Sequence, residues 1–175
     1  MSEEPRTLIL LRHAKSDYPD GVADHDRPLA ARGRREAGLA GDWLRAEAPL
    51  GRPVQAVLCS TATRTRETLD RTGVEAPVRF VERLYGATPG GLIEVINSAA
   101  GDFDFDVRTL LVIGHEPAIS QVALGLAGAP GSNETAAERI STKYPTSAMA
   151  VLRVPGPWGD LGLGGAVLET FFVPR

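Results

Sequence analysis

Two arginines and two histidines of this chain stand where short apolar runs stop. Residues 7–11, Thr-Leu-Ile-Leu-Leu, end at Arg12 and His13. Residues 53–59 end at Ser60, with Arg64 shortly after it. Residues 109–113 end at Gly114 and His115, followed by Glu116. A guanidinium offers a planar fork of donors that matches phosphate oxygens bidentately. A neutral imidazole carries a lone pair that can attack phosphorus and form a covalent phosphohistidine. A second imidazole, when protonated, stabilises charge on the equatorial oxygens. Phosphoryl transfer needs chiefly positioning and charge stabilisation, so such a set requires no metal and no cofactor in principle.

These residues can meet only if the runs that precede them are neighbouring strands. A run that is apolar at every position suits a strand buried on both faces, as in a parallel sheet. In open α/β sheets, ligands bind beyond the carboxyl ends of the strands, which is where both histidines would lie. The intervening stretches read as helices. Residues 29–48 place Leu39, Ala40, Trp43 and Leu44 on one face, charged residues on the other, and Pro49 and Gly51 at the end. Ser60 or Thr61 can cap a helix over residues 63–71. Residues 78–81 form a third strand. Pro89 suits the first turn of a helix through Ala99 that turns Leu92, Ile93, Val95 and Ile96 inward. Pro117 opens another, with Ile119, Val122, Ala123, Leu126 and Ala127 at helical spacing. Residues 17–28, 102–106 and 128–144 read as loops. Residues 147–154 and 166–173 read as two last strands, paired as a hairpin across a Gly- and Pro-rich connection. The order predicts a three-layer α/β/α sandwich with a mostly parallel central sheet, in one domain over residues 1–175.

Composition agrees with a globular enzyme. Of 175 residues, 43% are hydrophobic and 23% charged, and the net charge is −3. No basic excess points to nucleic acid and no basic amphipathic segment to a membrane surface. The first apolar run is too short for a signal-peptide core, so a cytoplasmic location is expected.

Three rival chemistries fail on counting. A cysteine phosphatase needs Cys-x5-Arg, but five residues after Cys59 the sixth position is Thr65, and Arg64 and Arg66 each miss by one. With one cysteine there is no disulfide framework and no thiolate metal cage, and Cys59 reads as a buried strand residue. A zinc-protease helix would need a histidine at position 119, which is Ile. A Gly-rich phosphate loop ending in Gly-Lys-Ser or Gly-Lys-Thr is absent from the sequence.

The segment Leu11-Arg12-His13-Ala14-Lys15-Ser16 resembles the Arg-His signature of the histidine phosphatase superfamily, the phosphoglycerate mutase-like proteins. Ser60-Thr-Ala-Thr-Arg64-Thr-Arg66-Glu67-Thr68 is similar to that family's Ser-x-x-x-Arg-x-x-(Gln/Glu)-Thr element, and Gly114-His115-Glu116-Pro117 resembles its second-histidine motif. Asp26-Arg27-Pro28-Leu29, with Arg32-Gly33 after it, looks like the segment that follows the signature in the small SixA-like phosphohistidine phosphatases. The resemblance implies that His13 becomes phosphorylated while Arg12, Arg64 and His115 complete the phosphate pocket. It further implies a phosphorylated protein as partner, such as a phosphotransfer domain, or else a small phosphoester. A non-catalytic phospho-ligand-binding module on the same fold is the alternative.

The proton donor to the leaving group is open. In mutase-like branches a glutamate after the third strand serves, and Glu82 is placed there; in phytase-like branches an acid follows the second histidine, which here is Glu116. A phosphorylated imidazole leaves well once its ring is protonated, so a weaker acid suffices for that substrate, and the choice stands between Glu82, Glu116 and none. Beside the nucleophile, Ser16 is expected to contact substrate, and Lys15 to hold a phosphate oxygen, recruit an acidic protein surface or stand in solvent. Ser60 reads equally as a helix cap or a phosphate ligand. His25, between two aspartates, reads as an exposed loop histidine with a raised pKa, and Arg66 as a surface arginine.

Overall fold

A computed structural model describes residues 4–46 and 50–175. Six strands form one sheet: β1 (Arg6–Arg12), β2 (Ala56–Ser60), β3 (Val78–Val81), β4 (Thr109–Gly114), β5 (Met149–Val154) and β6 (Val167–Phe172). Their order is β3-β2-β4-β1-β5-β6. The first four pair in parallel, while β1–β5 and β5–β6 are antiparallel. The expected α/β architecture and the terminal hairpin are both present, and the sheet is mixed.

Helices cover both faces, which explains the unbroken apolar runs. Leu8, Leu10, Leu58, Leu110, Val112 and Leu152 face a core shared with α3 (Pro89–Asn97), α5 (Ala118–Leu126) and α6 (Glu134–Thr142). Their alternates Ile9, Leu11, Val57, Cys59, Leu111 and Ile113 face α1 (Ala31–Arg45) and α2 (Thr63–Thr72). This is the period-2 alternation of a strand with two apolar sides. Truncating one such leucine to alanine costs about 2–5 kcal/mol. Among the described residues no helix is long and apolar enough to cross a membrane.

The departures from expectation have local causes. The inward face of α1 consists of Gly33, Glu36, Ala37, Ala40, Gly41 and Leu44; Leu39 and Trp43 flank it half-buried, and Trp43 stacks on Phe172 at 4.8 Å. The expected end of that helix at Ala48 and Pro49 lies outside the described residues. Small residues face inward because α1 lies close to its neighbours. A Cβ on Gly41 would come within 1.9 Å of the Thr72 carbonyl oxygen, and one on Gly33 within 2.0 Å of that of Lys15. The expected helix after Pro89 is split into α3 and the short α4 (Ala99–Asp102), and its first turn is capped by Thr88, whose side chain accepts from the Gly91 N–H. Ile93 is only partly buried. Residues 128–144, expected to be irregular, contain α6, capped by the Asn133 side chain on the Ala136 N–H. The N-cap of α2 is Ala62, not Ser60 or Thr61, and makes no side-chain cap bond.

Candidate active site

Sheet register brings the two histidines together. Arg12 pairs with Gly114 across the parallel β1–β4 ladder, and neighbouring strands lie about 4.8 Å apart. The next residue of each strand, His13 and His115, therefore emerges beside the other. Their ring centroids are 5.2 Å apart. The His13 N–H continues the ladder onto the Gly114 carbonyl at 3.0 Å. Ser147, in the left-handed region at φ 66°, donates its N–H to the carbonyls of Arg12 and His13, which fixes the turn away from β1.

His13 is held in one tautomer. Its Nδ1 lies 2.7 Å from the carbonyl oxygen of Ala14, which can only accept, so Nδ1 carries the proton and Nε2 keeps its lone pair. The side chain is buried, and burial pushes its pKa down to about 3, with His115, Arg64 and Arg12 adding to the effect. It is a neutral imidazole at any physiological pH.

The second motif supplies the frame around it. Ser60, wholly buried at the end of β2, accepts from the Ala62 N–H at 3.3 Å and lies 2.8 Å from Nε2 of His115. Ser60 is thus neither a helix cap nor free for a ligand; it holds the second histidine. Thr68 accepts from the Ala14 N–H at 2.9 Å and donates to the Arg64 carbonyl at 2.7 Å. Glu67 accepts from the Leu29 N–H at 2.7 Å. The spacing Ser-x-x-x-Arg-x-x-Glu-Thr therefore has a mechanical meaning. The end of β2 ties down His115 through Ser60, and α2 ties down the segment after His13 and the entry to α1 through Thr68 and Glu67, while Arg64 projects from the first turn of α2. Gly33 completes the packing by letting α1 approach the Lys15 backbone.

Arg12 is anchored by its Nη1 on the Tyr144 carbonyl at 2.7 Å, and burial lowers its pKa without removing its charge. Arg64 is buried and donates from Nη1 and Nη2 to the backbone carbonyl and carboxylate of Asp24, at 2.7 and 3.1 Å. The Nε atoms of both arginines and Nδ1 of His115 are buried with no hydrogen-bond partner. His115 is neutral here: burial, then Arg64, push its pKa down to about 4.

The other sequence candidates fall around this centre. Glu82 is exposed on the single turn after β3, and its carboxylate makes no hydrogen bond or ion pair among the described residues. Glu116 accepts from the Ser120 N–H at 2.7 Å and so caps the start of α5. Ser16 is buried and accepts from Arg27 at 2.7 Å. Lys15 is half-buried, with its Nζ 5.9 Å from the Tyr18 ring. Arg66 lies on the surface, over Phe80.

His25 requires correction. It is half-buried at the rim, with Nε2 2.9 Å from Thr61 Oγ1 and its ring edge-on to Tyr85 at 4.8 Å. Tyr85 in turn meets the His115 ring at 5.5 Å. Sequence reasoning missed Asp24, Tyr85 and Tyr144. Each reaches the site from a loop or a turn, where no periodicity marks it.

Comparison with known proteins agrees with this geometry. The sequence model of the histidine phosphatase superfamily (branch 1) matches residues 8–97. The chain belongs to the histidine phosphatase superfamily. An uncharacterised protein of Mycobacterium tuberculosis is 61% identical over 165 residues, 94% of this chain and 100% of that protein. Among solved structures, a candidate phosphohistidine phosphatase SixA from Nakamurella multipartitia superposes with a TM-score of 0.85 at 36% identity, covering 99% of each chain. Its counterpart from Agrobacterium tumefaciens gives 0.74 at 26% identity, over 97% of this chain and 99% of the other. These likenesses support the SixA-like branch and phosphatase chemistry.

Proposed function

We propose that this chain is a metal-independent phosphohistidine phosphatase that works through phospho-His13. The observation that carries this reading is the fixed tautomer of His13: its Nδ1–H is spent on a carbonyl, which leaves the Nε2 lone pair as the nucleophile. Buried guanidinium N–H groups without partners on Arg12 and Arg64 suit the oxygens of a phosphoryl group, which would satisfy donors that are otherwise costly to bury. An incoming phosphate also favours the charged form of His115, so its proton would arrive with the substrate. In the first step Nε2 of His13 bonds to phosphorus as the bond to the carrier breaks. In the second, water attacks phosphorus, the P–N bond breaks, the electron pair returns to Nε2, and phosphate departs with both protons of the water.

The choice of carrier follows from the acids. Glu116 is occupied as a helix cap and Glu82 is exposed and unengaged, so the best-supported substrate is one that brings its own proton. Phosphohistidine does so: a phosphoimidazole protonated on its second nitrogen departs as a neutral imidazole. The partner class is therefore a protein bearing phosphohistidine, such as a phosphotransfer domain. Turnover of a phosphorylated phosphotransfer domain should exceed that of a panel of small phosphate esters without added metal. Comparable or faster hydrolysis of the esters would overturn the carrier assignment, and tight phosphate binding with no turnover would make the chain a binding module.

A further inference from the structure

One charged group at the site has no part in the two steps above. Asp24 begins a single helical turn, Asp24–Asp26, that lies against α2. Its Oδ1 accepts from Arg27 Nε at 3.1 Å; its Oδ2 accepts from Arg64 Nη2 at 3.1 Å and from the Tyr85 hydroxyl. The side chain of Arg64 is 7% exposed and that of Asp24 is 56% exposed, so the carboxylate covers the solvent side of the guanidinium. A phosphoryl group moving in toward His13 leaves its carrier on that outer side.

The bonds from Tyr85, Arg64 and Arg27 hold the Asp24 carboxyl well below the usual carboxylate range. It is therefore a permanent anion and cannot donate a proton. Nor does it block Arg64. A guanidinium has five N–H donors, and Asp24 takes two, leaving Nε among the rest. What Asp24 adds is a fixed negative charge at the mouth of a cationic pocket.

We propose that Asp24 sets the charge of the leaving group the site accepts, favouring a cationic imidazolium over an ester oxygen. The proposal rests on phosphoryl transfer to His13. With a protonated phosphoimidazole, the P–N bond breaks as the His13 Nε2–P bond forms, the departing nitrogen takes the bonding pair, and the ring leaves neutral with its other N–H intact. No external acid is consumed. Asp24 attracts the positive ring and so favours the protonated, reactive form of the substrate. With an ester, the departing oxygen gathers negative charge, which the same carboxylate opposes. The residue thus does for a phosphoramidate what a general acid does for an ester.

The test compares phosphoimidazole with p-nitrophenyl phosphate on the wild-type chain, Asp24→Asn and Asp24→Glu, at mildly acidic pH. Asparagine keeps an oxygen for Arg64 and Tyr85 but removes the charge. Its ratio of kcat/KM for phosphoimidazole over the ester should fall at least about tenfold, the scale of one charge–charge interaction at a partly solvated site. The aryl ester rate itself should hold or rise, and the glutamate variant should keep the wild-type ratio. Parallel losses on both substrates would overturn the proposal and leave Asp24 as a support for Arg64 alone; an unchanged ratio would overturn it as well. A wild-type chain that hydrolyses neither compound, nor a phosphorylated phosphotransfer domain, would instead overturn the phosphatase reading, and that is seen before any variant is made.

Discussion

The ends of β1 and β4 present the same side chain in two different settings. His13 is buried, and its Nδ1 is bound to a carbonyl that permits one proton arrangement only. His115 is half-buried, its Nε2 meets a hydroxyl that can either donate or accept, and its Nδ1 has no partner. A nucleophile gains from a fixed tautomer, because no step is needed to free its lone pair. A charge stabiliser gains from the opposite, since it must become a better donor when negative charge arrives. In the proposed mechanism, the setting of each ring, more than its identity, divides the roles.

The sharpest way to break this comparison is to remove each ring in turn. His13→Ala should lower kcat/KM by at least about a thousandfold, because a covalent step has no substitute. It should also abolish the acid-labile phosphoprotein seen by quench-flow labelling; wild-type turnover in that variant would end the covalent mechanism. His115→Ala should cost about a hundredfold in kcat, the scale of one lost transition-state donor, while still forming phospho-His13. If labelling vanished there too, the two histidines would not be separable in role.

Acid should report both rings through stability. Their folded pKa values, about 3 and about 4, lie below the ordinary 6.5, so between those values the unfolded chain binds more protons than the folded one. The stability they contribute is complete above pH 6.5 and drains away as pH falls to about 4 for His115 and about 3 for His13. The loss should approach about 1.4 kcal/mol per unit for each histidine, read from urea midpoints in phosphate-free buffer. His13→Gln should flatten that slope more than His115→Gln does. Smallest of all, Ser60→Ala should lower kcat by about tenfold or less, because His115 keeps its place on β4 and loses only the hydroxyl that orients it. A larger loss, with labelling also gone, would assign Ser60 to the nucleophile's side.

Much of this was legible in the sequence because the decisive residues sit at strand ends. Apolar runs such as residues 7–11 can hardly be anything but strands covered on both faces, and the order of the motifs then fixes which termini converge. Helix α6 escaped notice because only Ala136 and Ile140 of its nine residues are buried, and its stability comes from the Asn133 cap and from packing against β6. Ser60 was ambiguous for a different reason. A hydroxyl just before a helix is a cap by local rules, and only the arrival of His115 from β4 redirects it. Asp24, His25 and Tyr85 form their cluster across 61 positions of chain, and nothing local in a loop announces such a partner.

Cys59 lies fully buried on β2, and burial pushes its thiol up to about 12. A thiol is attacked by peroxide or alkylating agents as the thiolate, a form this site suppresses. The one sulfhydryl of the chain is therefore sealed, and the proposed nucleophile is a nitrogen. Oxidant or iodoacetamide at levels that silence a cysteine-based phosphatase should leave the turnover of this chain unchanged.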